Sequence, residues 1–176
     1  MLLVRPRHRS VVVLYTKEQE SKDKKILTVK TENIPRELRV RPQHVVWQAE
    51  GDKPDKVPYS ARTGRKALST DLMTWSTFEE AMEAYQDGDY DGVGFVFSSG
   101  DPYTGIDLDD CVDEGGEIAD WALKIVRDLD SYTELSATGT GLHIIARGKV
   151  PNRRKGKIEI YSTERFFTMT GHVVGA

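Results

Sequence analysis

Cysteine is all but missing from this chain: Cys111 stands alone among 176 residues. One thiol closes no internal disulfide and builds no cysteine-rich zinc knuckle, so zinc is not expected and a reducing, cytoplasmic setting is. Long hydrophobic runs are missing too. No apolar stretch approaches the roughly 20 residues that cross a bilayer, so no membrane partner is expected. Val11–Tyr15 is too short for a signal-peptide core, and no small-residue cleavage site comes after it. Nor does one sign of charge dominate. With 25 basic and 28 acidic residues the net charge is −3, which excludes a histone-like polycation. Nucleic-acid contact is therefore confined to a local basic patch. What is present is ordinary globular material, 38% hydrophobic and 30% charged, long enough for one domain with its own core.

Residues 1–32 differ in character from the remainder of the chain. Two short β-prone pieces, Val11–Tyr15 and Ile26–Val29, flank a charged run and suggest an added hairpin or a tail, to which no chemistry is assigned. From residue 33 to 176 the pattern is compact. Strands are predicted at His44–Glu50 and Lys56–Tyr59, the second at an edge because it holds Pro58. Ser76 and Glu79 read as the capping box of a helix whose stripe is Phe78, Ala81, Met82 and Tyr85, with Gly88 as its stop. Gly92–Phe97 and Thr104–Cys111 read as strands. A second helix should present Ile118, Trp121, Ala122, Ile125 and Leu129 on one face. Further strands are predicted at Tyr132–Ser136, Leu142–Ala146, Ile158–Tyr161 and Phe166–Thr170, with a basic loop over Lys149–Lys157. This order predicts an α+β fold with a mostly antiparallel sheet and helices packed on one side.

Polar groups recur between apolar neighbours on three of these strands. Asp107 and Asp109 alternate with Ile106 and Leu108, His143 lies between Leu142 and Ile144, and Glu159 lies between Ile158 and Ile160. Side chains two apart on a strand share a face, so all four can project from one side of a sheet. Singly, each reads as the wet side of a strand. Together, three carboxylates and an imidazole are what a two-metal phosphoryl-transfer site needs, since adjacent carboxylates repel unless a hard cation lies between them. Asp110 falls on the opposite side of the alternation. Near these groups the loop Ser136–Gly141 offers hydroxyls and backbone N–H groups, with Thr138, Gly139 and Gly141 as candidates for an anion-binding concavity. It is no Gly-x-x-x-x-Gly-Lys-Ser/Thr loop, because the Lys is absent and the next element is a strand. Arg153, Arg154, Lys155 and Lys157 precede Glu159, and Arg165 and His172 flank the last strand. These are candidate contacts to a triphosphate or a template backbone.

The ordered pieces Gly-Ile-Asp-Leu-Asp-Asp-Cys, Ser-Ala-Thr-Gly-Thr-Gly-Leu-His, Lys-Ile-Glu-Ile-Tyr and Arg-Phe-Phe-Thr-Met-Thr-Gly-His resemble the primase-polymerases of phages and plasmids, in the archaeo-eukaryotic primase superfamily. Upstream, Lys-Val-Pro-Tyr, Ser-Thr-Asp and Trp-Ser-Thr-Phe-Glu-Glu-Ala are similar to the same group, so the resemblance covers about Asn33 to Gly175. It implies an RNA-recognition-like catalytic sheet joined to a smaller α/β part, and template-directed nucleotidyl transfer with two magnesium or manganese ions. By position it implies that Asp107, Asp109 and Glu159 are catalytic metal ligands. It implies also that His143 binds the nucleotide, with Ser136 and Arg165 as triphosphate contacts. Nucleoside triphosphates and a DNA template with its primer are the implied partners, with a helicase and a helical priming domain on the same or another chain. Larger members continue into such domains, whereas this chain stops soon after His172, so primer extension is expected ahead of de novo priming. Residues 1–32 have no counterpart. The competing readings are a metal-dependent nuclease or phosphodiesterase using the same carboxylates, and a non-catalytic nucleotide- or DNA-binding module. A sugar-nucleotide transferase fits less well, since nothing suggests a doubly wound parallel sheet.

Overall fold

The computed structural model describes residues 26–51 and 55–175. The strand predicted at Val11–Tyr15 lies outside them. Two antiparallel sheets organise the rest. The four-stranded sheet has the order β2-β1-β3-β9, from β1 (His44–Glu50), β2 (Asp55–Tyr59), β3 (Gly92–Phe97) and β9 (Arg165–Met169). The five-stranded sheet has the order β5-β6-β4-β8-β7. Its members are β4 (Tyr103–Leu108), β5 (Tyr132–Leu135), β6 (Leu142–Arg147), β7 (Arg153–Lys155) and β8 (Ile158–Tyr161). Every strand pairing is antiparallel. The α+β class is as the sequence predicts, and β2 is the edge strand its proline requires.

Three α-helices are present among the described residues: α1 (Arg36–Arg39), α2 (Phe78–Gln86) and α3 (Asp120–Leu129). The α2 stripe buries Phe78, Ala81 and Met82 against Val46, Val93 and Phe95 of the four-stranded sheet. Its capping box lies one residue later than predicted: Thr77 Oγ accepts from Glu80 N–H at 3.2 Å, and Glu80 accepts from Thr77 N–H at 2.8 Å. Both Ser76 and Thr77 have a Glu three residues on, so spacing alone cannot choose. Ser76 is removed from contention because its N–H and C=O are paired with His44. On α3 the buried positions are Ala122 and Val126, while Trp121 and Leu129 sit at the solvent margin, which narrows the predicted stripe.

The five-stranded sheet has two unlike faces. Ile106, Leu108, Leu142 and Ile144 point to one side, where Ala122 and Val126 of α3 cover them. Each such fully buried side chain contributes about 1.5–3 kcal/mol relative to exposure. The other face meets the four-stranded sheet. Gly105 marks the closest approach: a Cβ there would lie 2.5 Å from ring atoms of both Phe97 and Phe167. Only the absent side chain lets the aromatic rings of one sheet seat on the backbone of the other. The predicted basic loop also contains a strand, β7, paired with β8 through Arg153↔Ile160, Arg154↔Glu159 and Lys155↔Ile158. All three of its residues are exposed, so no hydrophobic alternation announced it. Residues 26–30 form no strand, yet they are held: Leu27 N–H donates to Ala137 C=O and Lys30 N–H to Thr170 C=O, both at 2.8 Å.

Candidate active site

The register of the five-stranded sheet aligns one polar residue from every strand. Glu134 stands opposite His143, His143 opposite Asp107, Asp107 opposite Glu159, and Glu159 opposite Arg154. Directly opposed residues on neighbouring strands project to the same face. This rung therefore lies on the face turned toward the four-stranded sheet, two residues along β4 from Gly105. His143 stacks on Phe167 of the other sheet, with ring centroids 4.7 Å apart and planes at 28°. Where the sheets part, a cleft of about 400 Å³ opens, lined by Asp107 and His143 on one side and by Asp55, Lys56 and Arg165 to Thr168 on the other.

His143 is 4% exposed. Its Nδ1 lies 2.9 Å from Thr168 C=O and donates to it, which turns Nε2 toward Asp107 Oδ1 at 3.7 Å. Asp109 comes directly after β4, and its N–H donates to Lys157 C=O at 2.8 Å. Burial first, then the charges of Asp107, Glu159 and Asp110, push its carboxyl pKa above the ordinary aspartate value. Glu159 is better compensated. It is buried, Oε1 pairs with Arg154 Nε at 2.7 Å, Oε2 accepts from Tyr161 O–H at 2.8 Å, and Arg165 Nη2 lies 3.7 Å from Oε2.

The predicted residues are thus distributed unevenly. Asp107, Asp109, His143, Glu159 and Arg165 come together, and Asp110 lies in an exposed left-handed turn away from the row. The loop Ser136–Gly141 borders the site, since Gly141 sits against Leu108 C=O and the Asp109 backbone. Its N–H groups are partly spent. Ser136 N–H donates to Gly141 C=O, Gly139 N–H to Ser136 C=O, and Gly141 N–H to Ser136 Oγ. The glycine N–H groups named as an anion cradle therefore close the loop instead, and half-exposed Thr138 and Thr140, with hydroxyls 3.0 Å apart, carry the remaining polarity. Lys157 Nζ donates to Asp110 C=O at 3.1 Å. His172 Nε2 lies 2.9 Å from Thr28 C=O, beyond the end of β9 opposite Arg165.

Two residues of the site were not foreseen. Lys56 enters the cleft from β2; burial holds its ammonium pKa below the ordinary lysine value, while Asp107 and Asp109 pull it up. Glu134 completes the rung; its Tyr-Thr-Glu-Leu context lacks the apolar-acid-apolar alternation of Ile-Glu-Ile, because Thr133 is polar and Tyr132 shares the face of Glu134.

The donor set suits a hard divalent cation at Asp107 and Asp109, which are acidic oxygens, the second with a raised pKa. Glu159 has its oxygens engaged by Arg154 and Tyr161, and among the described residues no three His, Cys, Asp or Glu side chains already converge on one point. No family model matches the chain. In an alignment that covers 74% of its length, it is 37% identical to the protein named DNA Primase-polymerase of Nitratiruptor phage NrS-1. The chain carries a phage-type primase-polymerase domain. That domain spans about a fifth of the phage protein's length (19%), so the match does not reach the rest of that protein. Among its described residues no helix is long and apolar enough to cross a membrane.

Proposed function

We propose that the primase-polymerase domain is a nucleotidyltransferase that extends a DNA primer on its template from nucleoside triphosphates. The observation that carries this reading is the rung itself, which gathers carboxylates, an imidazole and a guanidinium group beside an inter-sheet cleft, in a chain related to a phage primase-polymerase. The 3′ oxygen of the primer attacks the α-phosphorus; the new phosphodiester bond forms as the bond to the β-phosphate bridge breaks, the hydroxyl proton is lost and pyrophosphate leaves. Such chemistry depends on positioning and on stabilising charge.

Asp107 and Asp109 would hold magnesium or manganese, and Glu159 would join them as a third acidic ligand on release from Arg154. Divalent cations bound there would lower the pKa of the attacking hydroxyl and offset the charge of the leaving pyrophosphate. The chain's own residues do the rest. His143 Nε2, fixed by the Nδ1 bond to Thr168, faces the cleft where a triphosphate oxygen can meet it. Lys56 and Arg165 bring positive charge from the opposite wall, and a guanidinium suits bidentate phosphate contact. Arg154, exposed and held by Glu159, can exchange that partner for a phosphate. The Ser136–Gly141 hydroxyls border the same space. A helicase and a helical priming domain would supply strand opening and primer initiation.

The test is extension of a primed template with magnesium or manganese, comparing wild type with Asp107→Ala/Asp109→Ala. The double variant should lose extension by at least about a thousandfold, the scale of removing charge stabilisation at a reacting centre. Extension at the wild-type rate would sink the assignment, and shortening of the primer without nucleotide would point to a nuclease instead.

A further inference from the structure

The rung holds one carboxylate that the chemistry above does not use. Glu134 is 0% exposed, opposite His143 on β5. A carboxylate so placed is costly unless its oxygens are satisfied. Its Oε2 accepts three hydrogen bonds, from Thr170 N–H at 3.0 Å, Gly171 N–H at 2.6 Å and Tyr132 O–H at 2.6 Å. Its Oε1 has no hydrogen-bond partner among the described residues and lies 3.9 Å from His143 Nδ1.

Part of this is a buckle. Glu134 ties the end of β9 to β5, and that end carries the Thr168 carbonyl that receives His143 Nδ1–H. A buckle, however, requires only a neutral acceptor such as a glutamine oxygen. It gives no reason for a second carboxylate oxygen to be desolvated, unpaired and set beside an imidazole. We propose that Glu134 is a positioning residue for His143. It fixes the strand segment that orients the ring, and it places negative charge behind the imidazole, on the side away from the cleft, so that Nε2 is presented to the triphosphate. The arrangement has the logic of a carboxylate set behind a working histidine, in which the group that never touches substrate sets the orientation of the one that does. The proposal rests on the assignment of His143 to the nucleotide.

Glu134→Gln tests it, because glutamine keeps an oxygen for the two backbone N–H groups and replaces the charged Oε1, 3.9 Å from Nδ1, with a neutral NH2. The expected result is a nucleotide KM raised about tenfold, with primer–template KM within about twofold of wild type, the scale of a coupling between contacting residues. In a His143→Ala background the same change should do nothing further, since its effect passes through the ring. Equal losses in the two backgrounds would mean a purely structural buckle and would overturn the proposal, as would a wild-type nucleotide KM in Glu134→Gln. Should that variant lose its thermal unfolding transition, Tyr132→Phe, which removes one bond to the carboxylate, takes its place. A rise in nucleotide KM seen only when His143 is present is then required. Wild type run alongside separates the two levels: no incorporation by wild type defeats the nucleotidyl-transfer reading and this one with it, whereas an active wild type with an unaffected Glu134→Gln defeats this one alone.

Discussion

His44 and His143 stand in different sheets, yet their immediate settings match closely. Both lie on strands, both are buried, and both turn Nδ1 to a backbone carbonyl, of Arg41 at 3.0 Å and of Thr168 at 2.9 Å. They part at the second nitrogen. His44 is wedged edge-on between Phe78 and Phe95, and its Nε2 has no partner among the described residues. Burial drives its pKa down to about 4. His143 has carboxylates on both sides and a cleft in front. Burial therefore does not separate a packing histidine from the one proposed to meet nucleotide. What the outward nitrogen faces does.

The contrast can be challenged from either histidine, and the largest effect is expected at His44. Its folded-state pKa of about 4 lies below the ordinary value of 6.5, so between those values the unfolded chain binds more protons than the folded one. Stability is then fully present above pH 6.5 and falls as the pH is lowered, by about 3 kcal/mol at pH 4. His44→Phe should flatten that slope in urea unfolding followed from pH 7 to pH 4. At pH 7 it should cost about 1 kcal/mol, for the carbonyl of Arg41 left unpaired. An unchanged slope would show that His44 does not titrate as described.

At His143 a slightly smaller effect on activity is expected. His143→Ala should lower kcat/KM for nucleotide incorporation about a hundredfold, the worth of a hydrogen bond to a charged group, and should also lower the melting temperature, because it empties a buried space against Phe167 and leaves the Thr168 carbonyl unpaired. The same assay on His44→Phe at pH 7 should stay within about threefold of wild type. Equal losses in the two variants would erase the distinction between the histidines.

Most of this fold could be read from the sequence because strand alternation is a local signal. The boundaries of β1 match the prediction, and the shared face of Asp107, His143 and Glu159 is a consequence of period-two patterning. What escaped is non-local or ambiguous. Nothing in the local pattern says that β9 pairs with β3 while β8 pairs with β4, so the division into two sheets, and hence the cleft, is set by tertiary packing. Lys56 belongs to the site only because of that division. The cap slid from Ser76 to Thr77 because two hydroxyl residues compete at identical spacing and backbone pairing with His44 decides between them. The Ser136–Gly141 loop spends its glycine N–H groups on Ser136, which composition alone could not reveal. Glu134 escaped as well, because polar Thr133 beside it and Tyr132 on its own face break the alternation that marks Glu159.

Everything proposed for this domain depends on nucleotide and metal meeting on the rung that crosses the five-stranded sheet. The decisive measurement is a crystal structure with manganese and a non-hydrolysable nucleoside triphosphate. The expected result is a manganese anomalous peak on Asp107 and Asp109, with a phosphate oxygen within hydrogen-bond distance of His143 Nε2. A nucleotide seated elsewhere, or manganese remote from those two aspartates, would contradict it.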